Sequence, residues 1–141
     1  MRVIDGKGCI LGRVGARVSK MLLSGESVAL VNSGELIISG NPRFIVGKYT
    51  DRRNVKNRAN PEQSPHWPRR PDFLTKRIIR GMLPYSSSRG RIAFKKLKVY
   101  IGHPESLGKA EKLNGVDASR LKTRVISIRN LCKSLGYKVD R

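Results

Sequence analysis

The chain has 141 residues, 30 Lys plus Arg against 10 Asp plus Glu, and a formal net charge of +20. Charge of that size and sign calls for a polyanionic partner, and nucleic acid is the first candidate. The apolar runs are short, at 28–31, 36–38 and 97–101, far below the ~20 residues of a membrane span.

The N-terminus has no apolar stretch of signal-peptide length, so the expected location is cytoplasmic. Length fits one domain over 1–141, with 38% hydrophobic residues for a modest core. Cys9 and Cys132 lie far apart in sequence, and two cysteines make neither a disulfide framework nor a four-ligand metal site. They read as two small semi-buried thiols in a reducing compartment. His66 and His103 have no spaced partner, and no metal site is expected.

In chain order, Arg2-Val3-Ile4-Asp5 reads as a short strand. Gly6 and Gly8 break it, and a helix pattern follows from about Gly12 to Ser24. Leu11, Val14, Val18, Met21 and Leu22 share one face of that helix, and Arg13, Arg17 and Lys20 share another. Gly15 weakens the helix by ~1 kcal/mol relative to Ala, and Gly25 is placed to end it. Ser27 to Asn32 reads as a strand covered on both faces. A second strand candidate, Glu35 to Ser39, follows the turn Ser33-Gly34. Pro42 opens a helix to about Tyr49. Alternating strands and helices predict a layered α/β domain.

From 50 to 72 the chain is polar, basic and rich in Pro and Asn. A connection of this length without regular structure is either disordered or functional. Its charges favour function: Arg52, Arg53, Lys56, Arg58, Arg69 and Arg70 face only Asp51, Glu62 and Asp72, and Trp67 lies among them. A helix is predicted from Phe73 to Leu83 and a short one from Ile92 to Leu97. Lys98 to Ile101 is the last strand candidate. In the tail, from 103 to 141, Val125, Ile128, Leu131, Cys132 and Leu135 share the face of a C-terminal helix.

Residues 43–98 hold 16 basic and three acidic side chains, a net +13. Such density, with Trp67 and Tyr85 inside it, suits phosphate contacts and occasional base stacking. Catalytic motifs do not assemble. Gly6-Lys7-Gly8-Cys9-Ile10-Leu11-Gly12 approaches a dinucleotide-binding turn, but its last Gly is one residue late and no acid stands where the ribose would need one. Gly40 to Lys48 is too long for a P-loop, and Tyr49 stands where Ser or Thr would hold magnesium. No nucleophile, general base, cofactor or metal set emerges.

Ile79-Arg80-Gly81-Met82-Leu83-Pro84, then Arg89-Gly90-Arg91, then Leu97 to Gly102 form a specific combination. It resembles the large-subunit ribosomal protein thirteen family (L-thirteen). Leu11-Gly12-Arg13, Lys20, Leu22-Leu23-Ser24-Gly25, Val31-Asn32 and Ile38-Ser39-Gly40 resemble the same family. The basic insert with Arg52-Arg53-Asn54, Asn60-Pro61 and Pro65-His66 resembles its archaeal and eukaryotic branch. The match runs from about residue 3 to about residue 102. Gly15 and Arg17 depart from its pattern.

The resemblance implies a three-layer α/β/α domain with a small, mostly parallel four-stranded sheet, a basic irregular arm and a C-terminal helix. It also implies a non-enzymatic constituent of the large ribosomal subunit that binds ribosomal RNA, assists assembly and touches neighbouring ribosomal proteins. The expected RNA contacts are Arg13, Lys20, Lys48, Arg52, Arg53, Lys56, Arg58, Trp67, Arg69, Arg70, Lys76, Arg77, Arg80, Arg89, Arg91, Lys95 and Lys96. The loop 50–72 is expected to order only on RNA. Two other readings are a regulatory RNA-binding module outside the ribosome and a nucleotide-dependent α/β enzyme.

Overall fold

The computed structural model describes residues 1–119 and 121–138. β1 (Arg2–Asp5), α1 (Leu11–Leu23) and β2 (Val28–Val31) open the chain, followed by a 3-10 turn at Ser33–Glu35. β3 (Ile37–Ser39), α2 (Pro42–Asn54), α3 (Pro71–Arg80), α4 (Ser88–Lys95) and β4 (Leu97–Val99) come next. β5 (Val125–Ser127) and α5 (Ile128–Ser134) close the described chain.

The main sheet is parallel, in the order β1-β2-β4, with Ile4 opposite Leu30 and Leu30 opposite Val99. Central β2 is buried at all four residues, which explains its unbroken apolar run. Both crossovers advance in one direction. Right-handed crossovers then place their helices on one face, and α1 packs against both α3 and α4.

The α/β class is as expected, but the sheet is not four-stranded. β3 leaves it and pairs antiparallel with β5, Ile38 opposite Ile126. The two-strand pairing depends on a partner nearly 90 residues away in the tail, so no local pattern announces it. Val125 accordingly lies in a strand, not in the C-terminal helix. That helix begins only after Ser127, whose hydroxyl accepts from the Asn130 N–H.

Other boundaries also move. α2 starts where Asn41 accepts from the Arg43 N–H and Pro42 fills the first turn. It continues five residues past Tyr49, its last turn held by Arg52 on the Tyr49 and Trp67 rings and by Arg53 on the Leu135 carbonyl. α3 starts at Pro71 and ends at Arg80, short of Leu83. α4 begins at Ser88, not Ile92, with Ser87 as its cap. The irregular segment therefore shrinks from 50–72 to 55–70, and it includes a 3-10 turn at Pro61–Gln63.

α1 buries Leu11, Val14, Gly15, Val18, Ser19 and Leu22. Each large aliphatic side chain on that stripe contributes ~1.5–3 kcal/mol of transfer free energy. Gly25, at φ +100°, ends the helix. Its N–H donates to the Leu22 carbonyl and the Glu26 N–H to the Met21 carbonyl, the Schellman pattern. α5 ends in the same way at Gly136.

The tail is woven into the core. The Glu111 N–H donates to the Val3 carbonyl, and the Asp5 N–H to the Glu111 carbonyl, which covers the free edge of β1. Leu113, Val116, Ile126, Ile128, Leu131 and Cys132 share one buried cluster with Ile4, Val14 and Leu30.

Candidate nucleic-acid interface

The glycine turn between β1 and α1 is built to close the fold, not to hold a phosphate. A pyrophosphate cradle needs backbone N–H groups aimed outward. Here the Gly6 N–H donates to the Val31 carbonyl, Gly8 to Glu35, Cys9 to Gly6 and Ile10 to Val116. A Cβ at Gly6 would stand 3.0 Å from the Val31 oxygen and 3.1 Å from Leu36. The glycine is therefore needed for close packing on β2 and the 3-10 turn after it. Cys9 and Cys132 are free and buried. Burial pushes the Cys9 thiol up, with Asp117 adding to it, and pushes Cys132 up to about 12. Thiols held protonated in this way are poor nucleophiles. Among the described residues, no group of three His, Cys, Asp or Glu could hold a metal ion, and no helix is long and apolar enough to cross a membrane.

The cationic side chains gather on aromatic rings. Trp67 receives Arg77 at 4.4 Å and Arg52 at 4.9 Å from its ring centroid. Its edge meets Tyr49, centroids 5.9 Å apart at 77°. Arg52 also lies 5.4 Å from the Tyr49 ring. Trp67 thus joins the irregular segment to α2 and α3. Burial and the neighbouring Arg80 charge lower the Arg77 pKa, although guanidinium stays charged at neutral pH. Burial raises the Tyr49 phenol.

Further along α3, Arg70 lies over Phe73 at 4.8 Å, Lys76 over Phe94 at 5.2 Å and Arg80 over Tyr85 at 5.0 Å. Tyr85 and Phe94 meet edge to face at 5.5 Å. Phe73, Lys76, Arg77 and Arg80 recur at helical spacing and share one face of α3. That face, with His66, Trp67, Pro68 and Phe94, lines an open cleft of about 470 Å³. Among the described residues, no acidic side chain lines it.

Several expected RNA contacts also serve the protein. The Arg53 guanidinium donates to the Leu135 carbonyl at 3.0 Å, tying α2 to the end of α5. Arg89 donates to the Leu23 carbonyl and Lys96 to Gly25 at 2.8 Å. Both cations sit at the C-terminus of α1, where the helix dipole favours them. Arg70 grips the buried carboxylate of Asp72 with two hydrogen bonds, the shorter 2.8 Å. The Arg69 guanidinium lies against Gly136.

Other cations face outward. Lys56, Arg58, Arg69, Arg91 and Lys95 are exposed, as are Lys48 on α2 and Arg13 and Lys20 on α1. Lys76, Arg77 and Arg80 are half-buried and form no ion pair among the described residues. The structure thus brings Trp67, Lys76, Arg77 and Arg80 together around one cleft, with Arg52 reaching the Trp67 ring without lining the cleft itself. Arg13 and Lys20 line no part of that cleft. Phe73 and Phe94 were missed as site residues in the sequence. Phe73 is 52% exposed. A Phe three, four and seven residues before Lys76, Arg77 and Arg80 was the available signal, masked because the same residue also fits an apolar stripe.

Known proteins are similar to this chain over nearly its whole length. The family described as ribosomal protein L13 matches residues 1–106. A protein named large ribosomal subunit protein uL13, from Methanocaldococcus jannaschii, is 44% identical over 140 residues, covering 98% of this chain and 99% of the relative. Proteins of the same name from Methanococcoides burtonii and Aeropyrum pernix are 42% and 40% identical. They cover 98% and 96% of this chain and 99% and 90% of their own lengths. With the family matched over residues 1–106 of this chain's 141 and these relatives matched over 96–98% of it, the chain belongs to the ribosomal protein L13 family.

Proposed function

We propose that this chain is a structural, non-catalytic constituent of the large ribosomal subunit in the cytoplasm. It binds folded large-subunit ribosomal RNA, stabilises it during assembly and touches neighbouring ribosomal proteins. The observation that carries the reading is the acid-free face of α3, where Lys76, Arg77 and Arg80 stand among aromatic rings beside an exposed basic segment. Such a surface neutralises phosphates and releases counterions, and its shape selects the RNA. Specificity then comes from the rigid spacing of the cations on α3, α4 and the end of α2.

The basic segment divides into two parts. Its base is held by Trp67 against Tyr49. Residues 55–63 are exposed throughout, and this tip is the part that orders on RNA. Arg52, Arg53, Arg70, Arg77, Arg89 and Lys96 act from positions the protein itself braces. Lys48, Lys56, Arg58, Arg69, Arg91 and Lys95 reach phosphates from exposed positions. Arg13 and Lys20 offer a second, smaller contact on α1.

The test is salt dependence. Binding of the full chain to large-subunit ribosomal RNA weakens steeply with salt. Arg69→Ala reduces the slope by roughly one phosphate or somewhat less. A flat salt dependence overturns the reading. Sedimentation of cell extract checks the particle: nearly all the protein travels with the large subunit, whereas a regulatory RNA-binding module would remain in lighter fractions.

A further inference from the structure

We infer that the cleft beside α3 takes one unpaired nucleobase of the bound RNA, stacked on Phe73, with the flanking phosphates on Lys76 and Arg80. The inference rests on the RNA-binding reading above and adds an occupant to it. Three observations lead there.

Phe73 is 52% exposed on an otherwise cationic helix face. A large ring left half in water on such a face forgoes part of the free energy of burial unless something covers it. Trp67, the aromatic residue that composition makes most conspicuous, is already engaged by Arg52, Arg77 and Tyr49. Phe73 carries the Arg70 guanidinium over one face of its ring, 4.8 Å from the centroid, yet stays 52% exposed, and its open surface supplies the stacking platform in the cleft.

The cleft's size and chemistry fit a base. About 470 Å³ of open space lies between Phe73, Trp67 and Phe94, within the ~300–1,000 Å³ typical of small-ligand sites. The walls are flat rings, which accept any base by its π-face. Lys76 and Arg80, one helical turn apart, stand on the same side of α3 as Phe73. A nucleotide placed with its base on the ring leaves its phosphates toward these cations.

Charge selects the occupant. Lys76, Arg77 and Arg80 line the cleft with no carboxylate beside them among the described residues. An extended peptide brings at most one charge per side chain and needs backbone partners that these rings do not offer. RNA brings a phosphate at every residue and a ring to stack.

The experiment compares full-length wild type, Phe73→Leu and Phe73→Trp on protein-free large-subunit ribosomal RNA. Leu keeps an apolar side chain on this exposed site but removes the ring. We expect F73L to bind roughly five- to hundredfold more weakly, the worth of one base–aromatic stack, with an unchanged salt slope. F73W retains wild-type affinity. Probing with dimethyl sulfate for A and C and with a carbodiimide for U and G shows one unpaired base protected by wild type and F73W but not by F73L. If wild type binds with a steep salt slope and F73L binds equally well, the base is not in the cleft, and the RNA reading stands without it. If F73L binds RNA normally but is lost from subunits reconstituted with the other proteins, the occupant is a protein segment, and the inference is overturned. If wild type fails to bind the RNA, both readings fall together.

Discussion

Gly15 of α1 lies directly under Met82: a Cβ added there would stand 2.8 Å from the Met82 sulfur and 3.0 Å from its methyl carbon. This contact joins the first helix to the turn that follows α3. It also explains a residue that costs the helix ~1 kcal/mol relative to Ala. The helix gives up propensity so that the thioether can seat.

Gly15→Ala should change stability by less than ~1 kcal/mol in either direction. The obstructing atoms are the far end of a flexible side chain that is 38% exposed at Met82. Its displacement is offset by the gain in helix propensity. Urea denaturation of G15A and of G15A combined with Met82→Ala measures both terms. A loss above ~2 kcal/mol in G15A would show that the contact is rigid.

Gly90→Ala is the opposite case. A Cβ there would overlap the Pro84 carbonyl oxygen and carbon. Both are backbone atoms in a turn held by Ser87, whose hydroxyl donates to the same Pro84 carbonyl and accepts from the Gly90 N–H. Nothing can swing aside, so the start of α4 must shift. We expect a loss of about 3 kcal/mol or more, read by the same denaturation. A near-neutral G90A would refute the packing described for this turn.

Trp67→Ala should release the base of the irregular segment. The variant loses partial burial of the indole, the edge contact with Tyr49 and two cation–π contacts. Together these are worth about 2 kcal/mol. Limited proteolysis should cut W67A faster within 55–70 than wild type, while Trp67→Phe restores most of the protection. Equal cleavage of W67A and wild type would mean that Trp67 is not the pin.

Cys132 makes stability depend on alkaline pH. Burial, with a smaller effect from Asp72, raises the folded thiol from an ordinary 9.0 to about 12. A raised value means that the folded state holds the proton more tightly than the unfolded one. The associated stability is complete below pH 9 and is lost as pH climbs toward 12. Stability should therefore fall more steeply in wild type than in Cys132→Ala across that window, whatever the offset from the smaller side chain. Parallel curves would exclude the thiol as the cause.

Much of the site is legible in the amino-acid order. Arg52, Arg77 and Arg80 stand out as cations in a segment nearly free of acids, and Trp67 stands out as the lone Trp. Their mutual arrangement is not legible there. Arg52 reaches Trp67 from a helix that runs past its expected end, and Arg77 reaches the same ring from the next helix. Likewise nothing local announces that Arg53 donates to the Leu135 carbonyl, 82 residues away.

The amino-acid order by itself determined the α/β class, the buried β2, the amphipathic α1 and the basic middle. These follow from patterns with a period of a few residues, set by how side chains alternate along a strand or helix. Tertiary structure alone decided that β3 leaves the sheet for β5 and that Glu111 covers the edge of β1. It also decided which aromatic residues are enclosed and which, like Phe73 beneath Arg70, keep half their surface open. Those outcomes depend on the competition for hydrogen-bonding edges and ring faces between segments far apart in the chain. No short-range pattern records that competition.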